Sequence, residues 1–470
     1  MQIERNAKKK TVFLPFYLTS SYLCTMNINE LYQLYLAHPC ITTDSRNCPE
    51  GSIFLALKGA SFNGNLFAVQ ALEKGCAYAI IDEPEVLNNP EHPDTQENRL
   101  ILVDDCLQTY KDLAREHRRQ FDIPVIGITG TNGKTTTKEL IRAVLAECYN
   151  VMATEGNFNN DVGVPKTLFH LNDSHDIAVV EMGASHPGDI KTLVETAEPN
   201  CGLITNVGRA HLQGFGSFEG VCKTKGELYD FFRSHECPVF VNRDNEHLMK
   251  MTEGLADIYY YGQSDNADIL IRGEVISCAP FLKFRWREQD SEAGYTSDWF
   301  TVQTHLIGAY NLDNMLAAIT IGYVNNIPFE QINHALENYV PTNNRSQLTE
   351  TEKNHLIVDA YNANPTSMKA AIDYFRLMEV APKMAILGMM GELGDVSQEE
   401  HQKIIALLEE AHFDEVWLVG AEFQKAQSRF RTFANVDEVK QAIAQQQPTG
   451  RYILIKGSNS THLYELPALL

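Results

Sequence analysis

The chain has 470 residues, and 44% of them are apolar, which is enough for a large core shared by about two to four domains. Its 39 basic and 61 acidic side chains give a formal net charge of −22, which excludes a general basic surface for nucleic acid or an anionic membrane. The ten cysteines are scattered without a C-x-x-C pair, which indicates reduced thiols in a cytoplasmic protein.

Residues 1–26 contain a run of three lysines followed by a partly apolar stretch, a pattern that resembles the start of a signal peptide. Pro15 and several Thr, Ser and Tyr residues dilute the apolar stretch, and no A-x-A-like cleavage site follows it. We therefore predict a loosely attached extension, with the working protein starting near Met26. No other stretch is long and apolar enough to predict a membrane span.

The segment 27–121 alternates short apolar runs with a helical pattern at 65–75, which predicts an α/β domain. The apolar runs lie at 52–57, 77–82 and 99–105. A polar, proline-bearing stretch at 88–98 predicts a loop between the last two runs.

The segment 122–340 predicts a central domain with a parallel sheet. Short apolar runs, each followed by a helical pattern, lie at 125–129, 177–182, 201–207 and 238–241. Between 268 and 306 the apolar residues alternate with polar ones, which predicts a small antiparallel layer on the same domain.

The segment 341–470 again alternates apolar runs with helical patterns and predicts a Rossmann-like third domain. Its apolar runs lie at 356–360, 384–389, 415–420 and 452–457. The fold class expected is therefore α/β with three domains.

The stretch GITGTNGKTTTKEL at 127–140 predicts a phosphate-binding loop between a strand and a helix. Glycines let backbone N–H groups approach phosphate, the helix N-terminus adds its dipole, Lys134 adds a positive charge, and the Thr135 hydroxyl can bind Mg²⁺. The spacing departs from the common Walker form, which has glycine where this chain has Ile128, and a glycine-rich turn without a ligand is the alternative. The candidate nucleotide-binding residues are Thr129, Gly130, Thr131, Asn132, Gly133, Lys134, Thr135 and Thr136.

This loop resembles the ATP loop of the Mur ligase family, which also includes the folylpolyglutamate synthases. The further matching motifs, in the order of the family, are TTDSR (42–46), TEGNFNNDVGVPKTL (154–168), EMGASHPGDI (181–190), ITNVGRAHLQGFGSFEGVCKTKGELY (204–229), GAYNLDNMLAA (308–318), DAYNANPTSMKAAI (359–372) and KGSNS (456–460). The resemblance covers about 27–470. It implies a UDP-substrate-binding domain at 27–121, a P-loop ATPase domain at 122–340 and a ligase domain at 341–470.

Glu181 ends one predicted strand and His211 follows another, so both side chains can reach the space in front of the loop. With the Thr135 hydroxyl they would form a mixed-ligand Mg²⁺ site, although Mg²⁺ prefers oxygen ligands and ordinary polar caps are the alternative.

The resemblance implies two Mg²⁺ ions and a carbamylated lysine as a further metal ligand. We assign that lysine to Lys225, from its separation along the sequence from His211 and from the GEL that follows it. Lys223 is the competing candidate, and a solvated helix face is the alternative for both. A free ammonium at this position would be repelled by the metal ions.

The resemblance also implies an ATP-dependent amide ligase that works through an acyl phosphate, with no protein nucleophile. Lys134, Glu181, His211, Lys225 and Arg345 are the expected catalytic residues. Asn314 is expected near the adenine, Arg345 at the ATP phosphates and Asp359 at the ribose, whereas a linker salt bridge and a helix N-cap are the alternatives for the last two. Tyr310 stands where the family often has histidine.

The implied substrates are UDP-N-acetylmuramoyl-tripeptide and D-Ala-D-Ala, because the motifs most resemble those of the members that add this dipeptide. Ser45 and Arg46 are expected at the UDP group, with a turn cap as the alternative. The other candidate substrate-binding residues are Asn157, Asn159, Asn160, Asn364 and Glu392. Met389 replaces an aspartate usual in the family.

Two questions stay open at this point. A related ligase that adds a single diamino acid and a nucleotide-binding regulator without turnover are the alternative functions. The third residue of the acceptor peptide can be lysine or diaminopimelate. We also expect a monomer.

Overall fold

The computed structural model describes residues 26–88, 99–290, 293–341 and 347–470. The predicted extension at 1–26, apart from Met26, the predicted loop at 88–98, apart from its first residue, and Arg345 therefore lie outside the described residues. The chain divides into two compact units, Met1–Thr109 and Tyr110–Leu470.

The first unit contains a parallel sheet with the strand order β1-β2-β5-β6 and a separate pair of strands, β3 and β4. Its elements, up to a helix that continues past Thr109, are α1 (Ile28–Ala37), β1 (Ile41–Thr42), β2 (Ile53–Leu55), β3 (Lys58–Gly59), β4 (Phe62–Asn63), α2 (Ala68–Glu73), β5 (Tyr78–Ile81), β6 (Leu100–Leu102) and α3 (Cys106–Arg118). A capping box begins α1, because Asn27 accepts from the Glu30 N–H and Glu30 accepts from the Asn27 N–H.

The second unit contains two large sheets. The elements of the first are β7 (Val125–Thr129), α4 (Lys134–Leu145), β8 (Val151–Ala153), α5 (Gly163–Leu168), β9 (Ile177–Glu181), α6 (Asp189–Ala197), β10 (Cys201–Ile204), α7 (Leu212–Phe215), α8 (Phe218–His235), β11 (Val239–Asn242), α9 (Glu246–Met249), β12 (Ile258–Gly262), β13 (Ile269–Cys278), β14 (Phe281–Asp290), β15 (Tyr295–Thr296), β16 (Phe300–Ile307), α10 (Leu312–Val324) and α11 (Phe329–Asn338).

The parallel part of this sheet has the order β12-β11-β10-β7-β9-β8 and is covered on both faces. One face packs on a core that includes residues of α4, α10 and α11, and the other packs on residues of α5, α6 and α8. Every residue of β7 and β9 is buried, as the continuous apolar runs predict for strands covered on both sides.

The alternating segment forms the antiparallel strands β13, β14 and β16, but these continue the central sheet and do not make a separate layer. The join is the parallel pairing of β12 with β13, where Tyr260 lies opposite Ile269. Along β14 the side chains alternate between buried and partly exposed, with Phe284 and Trp286 in the core. Apolar and polar residues alternate along these strands because only one face of them is covered.

The second sheet of this unit has the order β17-β18-β22-β19-β20-β21, with β17 antiparallel and the rest parallel. Its elements are β17 (Gln347–Glu350), β18 (His355–Asp359), α12 (Pro365–Leu377), β19 (Lys383–Gly388), α13 (Ser397–Ala411), β20 (Glu415–Val419), α14 (Ala421–Lys425), β21 (Arg431–Phe433), α15 (Val436–Gln445) and β22 (Tyr452–Lys456).

The predicted α/β class with parallel sheets is confirmed, and each predicted apolar run contains a strand. The boundaries at 121 and 340 stay predictions. In the part of the chain that the structure describes, no helix combines the length and the apolar character needed to cross a membrane.

Candidate active site

The phosphate loop occupies residues 130–133, between β7 and α4. Gly130 and Gly133 have φ values of +143° and +79°, a region that side chains disfavour. A Cβ atom at Gly130 would lie 2.0 Å from Thr205 Oγ1, and one at Gly133 would lie 2.7 Å from Asn314 Oδ1. Both positions therefore require glycine for backbone conformation and for space.

Two residues that follow β10 hold this loop in place. Thr205 Oγ1 and Asn206 Nδ2 donate to the Asn132 carbonyl at 2.7 and 3.0 Å. In the other direction, the Thr131 N–H donates to the Asn206 carbonyl at 2.9 Å and the Asn132 N–H to Asn206 Oδ1 at 3.0 Å. Asn206 therefore organises the loop, a role that the sequence did not reveal.

Lys134 is the first residue of α4, and its ammonium lies across the loop. It donates to the carbonyls of Gly130 at 2.8 Å and Thr131 at 3.2 Å. The positive end of the helix dipole and the ammonium thus meet at one point, which is the arrangement that binds phosphate.

Glu181 ends β9 and is 1% exposed. One carboxylate oxygen, Oε1, accepts from Thr135 Oγ1 at 3.1 Å and from Asn159 Nδ2 at 2.8 Å. The other oxygen, Oε2, is buried and has no hydrogen-bond partner among the described residues. A buried carboxylate oxygen without a donor, beside a threonine hydroxyl, fits the oxygen ligands of Mg²⁺.

His211 precedes α7 with a left-handed backbone, and its Nδ1 lies against Glu392 Oε2 of the second sheet. Burial lowers the pKa of His211, Glu392 opposes this shift, and the charges of Lys134 and Lys225 add to it. The neutral imidazole, which can bind a metal, is the favoured form.

Lys225 lies on α8 and is 2% exposed. Its ammonium nitrogen is 3.5 Å from the Ala184 carbonyl and 5.6 Å from the centre of the Phe215 ring. Burial holds the pKa of Lys225 well below its usual value, and the charge of Lys134 lowers it further. Lys223 is exposed on the same helix, so the two candidate lysines lie in opposite environments.

The second sheet brings Asp359 to the site from the end of β18. Lys456, at the end of the neighbouring strand β22, donates to Asp359 Oδ2 at 2.6 Å. Asn364 caps α12 by accepting from the Ser367 N–H at 2.9 Å, and its amide donates to Asn132 Oδ1 at 2.8 Å. Asn364 thus contacts the phosphate loop, and its predicted role at the substrate stays a prediction.

The three asparagines of the motif at 154–168 have different surroundings. Asn159 is bonded to Glu181, as described above. Asn160 Oδ1 accepts from the N–H groups of Val162 and Gly163 at 3.3 and 2.8 Å, so its side chain orders the turn before α5. Asn157, like the other two, lines the cavity in front of the loop.

Asn314, on the first turn of α10, accepts from Thr137 Oγ1 at 3.0 Å and donates to Asn311 Oδ1 at 2.8 Å. These bonds fix its amide beneath Gly133. Tyr310 is partly exposed and its ring meets that of Tyr374 edge-on, with the ring centres 6.3 Å apart.

One cavity of about 960 Å³ joins these groups. The predicted site residues that line it are Thr131, Asn132, Gly133, Lys134, Thr136, Asn157, Asn159, Asn160, Glu181, His211, Asn314, Asp359 and Glu392. The other predicted residues of this unit that the structure describes are buried: Thr129, Gly130, Thr135, Lys225 and Asn364. Among the described residues, no three His, Cys, Asp or Glu side chains cluster as a metal site, so a bound Mg²⁺ would depend on the Thr135 hydroxyl as well.

The TTDSR motif lies in the first unit. Ser45 is buried, and its carbonyl accepts from the Lys74 ammonium at 2.6 Å. Arg46 is exposed and makes two bonds of 2.8 Å to Asp44, and this contact lowers the pKa of Asp44 to about 2. Of the two predicted UDP contacts, only Arg46 has its side chain in solvent.

Three family models match the chain in sequence order. They are the Mur ligase family catalytic domain at residues 39–118, the Mur ligase middle domain at 128–322 and the Mur ligase glutamate ligase domain at 344–459. The chain belongs to the Mur ligase family.

Individual members resemble this Mur ligase over nearly its whole length. The UDP-N-acetylmuramoyl-tripeptide–D-alanyl-D-alanine ligase of Bacillus subtilis is 32% identical, over 94% of this chain and 96% of that protein. The crystal structure of MurF from Acinetobacter baumannii superimposes with a TM-score of 0.80 at 29% identity, over 93% of this chain and 97% of that one. MurF from Thermotoga maritima, solved in complex with ADP, gives 0.80 at 26% identity, over 92% and 97%.

Two site residues and one contact of this Mur ligase were not predicted from its sequence. Asn206 and Lys456 both line the cavity, and both lie in motifs that resemble those of the family. The contact of His211 with Glu392 had no signal in the sequence, because His211 was expected as a metal ligand and Glu392 as a substrate-binding residue. Met389 packs its side chain against Gly420, where a Cβ atom would lie 2.8 Å from Met389 Cγ.

Proposed function

We propose that this chain is an ATP-dependent amide ligase that joins D-Ala-D-Ala to UDP-N-acetylmuramoyl-tripeptide, giving ADP, phosphate and the UDP-linked pentapeptide for peptidoglycan synthesis. One observation carries the chemistry: a single cavity is lined by the phosphate loop and Glu181 on one sheet and by Asp359 and Glu392 on the other. The near full-length likeness to ligases named for these two substrates supports the choice of substrates.

ATP would bind with its phosphates at the loop and at the start of α4. Lys134 would leave the loop carbonyls and contact the phosphates, because a phosphate oxygen is a stronger acceptor for its ammonium. Asn314 would contact the adenine, and Asp359 the ribose. Arg345, in the segment outside the described residues, remains a prediction for the phosphates.

Glu181, Thr135 and His211 would hold Mg²⁺, which neutralises phosphate charge when it is bound. The unpartnered Oε2 of Glu181 supports this assignment. Lys225 would contribute as a carbamate, formed when its neutral amine adds to CO₂ and releases a proton. Its burial favours the neutral amine that this addition requires.

The reaction would proceed in two transfers. A carboxylate oxygen of the tripeptide attacks the γ-phosphorus of ATP and ADP leaves. The neutral amine of D-Ala-D-Ala then attacks the acyl carbon, phosphate leaves with the carboxylate oxygen, and the amine gives up one proton to the solvent. In both steps the residues act by orienting the reactants and stabilising charge, with Asn157 and Lys134 facing the shared cavity. A cytoplasmic location is proposed with this function, because ATP is consumed.

The test is phosphate release from ATP with Mg²⁺, using UDP-MurNAc-tripeptide with either lysine or diaminopimelate as its third residue. Release that requires both the tripeptide and D-Ala-D-Ala is the expected result, and Lys134→Ala should abolish it. ATP binding without turnover would favour the regulator. Turnover with a free diamino acid and UDP-MurNAc-dipeptide, but not with the dipeptide donor, would favour the related ligase.

A further inference from the structure

Lys456 is a buried cation in the part of the cavity that faces Asp359. It ends β22, is 1% exposed, and lies opposite Asp359 in the parallel pairing of β18 with β22. Its ammonium donates to Asp359 Oδ2 at 2.6 Å and to the Asn362 carbonyl at 3.1 Å. The lysine therefore holds both the carboxylate and the loop that follows β18.

Because Lys456 is buried, its contact with Asp359 differs from an ion pair on the protein surface. A lysine inside a sheet must be paired, since an isolated buried ammonium is strongly unfavourable. The pairing commits one oxygen of Asp359 to Lys456. A carboxylate has acceptor capacity on both oxygens, so Asp359, which lines the cavity, can still accept from a ligand hydroxyl.

We infer that Lys456 is a positioning residue, which orients the Asp359 side chain so that it accepts a hydrogen bond from a ribose hydroxyl of the nucleotide. This inference rests on the proposed function, because it takes ATP as the occupant of the cavity. Lys456 acts through Asp359 and through the Asn362 carbonyl, and it makes no contact of its own with the nucleotide.

The experiment measures how well the protein distinguishes a ribose from a deoxyribose. Calorimetric titration with ADP, 2′-deoxy-ADP and 3′-deoxy-ADP, in the presence of Mg²⁺, gives the ratio of each deoxy Kd to that of ADP. For the wild type we expect a ratio of about tenfold or more for at least one analogue, because a hydrogen bond to a charged acceptor is lost.

Lys456→Met should reduce this ratio to about twofold or less, and Asp359→Asn should do the same. Lys383→Met is the matched control, since Lys383 is a partly buried lysine at the start of β19 in the same sheet, and its ratio should equal that of the wild type. If discrimination were lost only because the sheet had loosened in general, Lys383→Met would lose it as well.

The double variant separates positioning from direct contact, and it also covers the case in which Lys456→Met does not fold. Lys456→Met with Asp359→Asn removes both charges, so it leaves no unpaired charge in the sheet. It should bind ADP as Asp359→Asn alone does.

Two results would overturn the inference: a wild-type ratio in Lys456→Met, or weaker ADP binding by the double variant than by Asp359→Asn. A wild-type protein that binds no adenine nucleotide would instead refute the proposed function, so the two failures are distinguishable.

Discussion

Glu181 and Lys225 are both nearly inaccessible to solvent, but their hydrogen bonding differs. Glu181 accepts two side-chain hydrogen bonds, from Thr135 and Asn159. Lys225 has the Ala184 carbonyl, at 3.5 Å, as its hydrogen-bond acceptor among the described residues, and its pKa is held well below the usual value. Because the proposed carbamate requires a neutral amine, Lys225 is the residue that tests the proposed chemistry most closely.

Lys225→Ala should lower kcat by about two or more powers of ten, on the order of 3 kcal/mol of transition-state stabilisation, while ATP binding and the fold remain. The physical reason is the loss of a bridging carboxylate. A small acid such as acetate should enter the vacated space and restore part of the rate. Rates measured with and without acetate check this.

Lys223→Ala is the matched control for this variant, because Lys223 lies on the same helix and is exposed. It should have close to wild-type activity. An inactive Lys223→Ala, or an inactive Lys225→Ala that no small acid rescues, would remove the carbamate from the account.

Individual residues at strand ends could be predicted from the sequence, but the contacts between them could not. Glu181 and His211 follow apolar runs, and that pattern is visible in one chain. The contact of His211 with Glu392 joins two sheets, and the ion pair of Lys456 with Asp359 depends on the order of strands in a sheet. Neither contact leaves a periodic pattern in the sequence.

Among the elements, the turn from β7 into α4 is the proposed nucleotide-binding element, and its glycines can be tested separately from its lysine. Gly133→Ala should weaken ADP binding by about tenfold or more, because its Cβ would be forced against Asn314 Oδ1, 2.7 Å away, and would displace the loop. The left-handed backbone adds a strain of about 1–2 kcal/mol. Calorimetric titration with ADP measures the change.

Gly188 provides the control, since it also has a positive φ, +87°, and also precedes a helix, but a Cβ there meets no atom within 4 Å. In thermal unfolding, Gly188→Ala should lose about as much stability from backbone strain as Gly133→Ala does. Its affinity for ADP should stay that of the wild type. Equal affinities for the two variants would show that the space at Gly133 is not what shapes the site.

The predicted elements were those whose burial leaves a clear pattern. β7, β9 and β11 are fully buried and appear as continuous apolar runs. β8 and β17 were not predicted, and β17 has no buried residue, so its segment contains no apolar run. The antiparallel strands were predicted, but their continuity with the parallel sheet depends on a pairing between β12 and β13 that composition does not encode.

Within the unit Tyr110–Leu470, several contacts join the two sheets at the cavity. Arg209, on the segment that carries His211, pairs with the buried Glu400 of α13 at 3.2 Å. The Gln213 N–H donates to the Glu392 carbonyl at 3.1 Å. With the bond between Asn132 and Asn364, these contacts bring residues of the first sheet to those of the second. They could not be predicted, because each joins residues far apart in sequence through polar groups that have other common roles.

The central claim is that the cavity forms an amide bond through an acyl phosphate. The most direct measurement uses UDP-MurNAc-tripeptide labelled with ¹⁸O in its terminal carboxylate, followed by mass spectrometry of the released phosphate and the peptide product. We predict one ¹⁸O atom in each phosphate and the labelled carbonyl retained in the amide, because the amine displaces phosphate at the acyl carbon. Unlabelled phosphate released alongside the amide product would contradict the account.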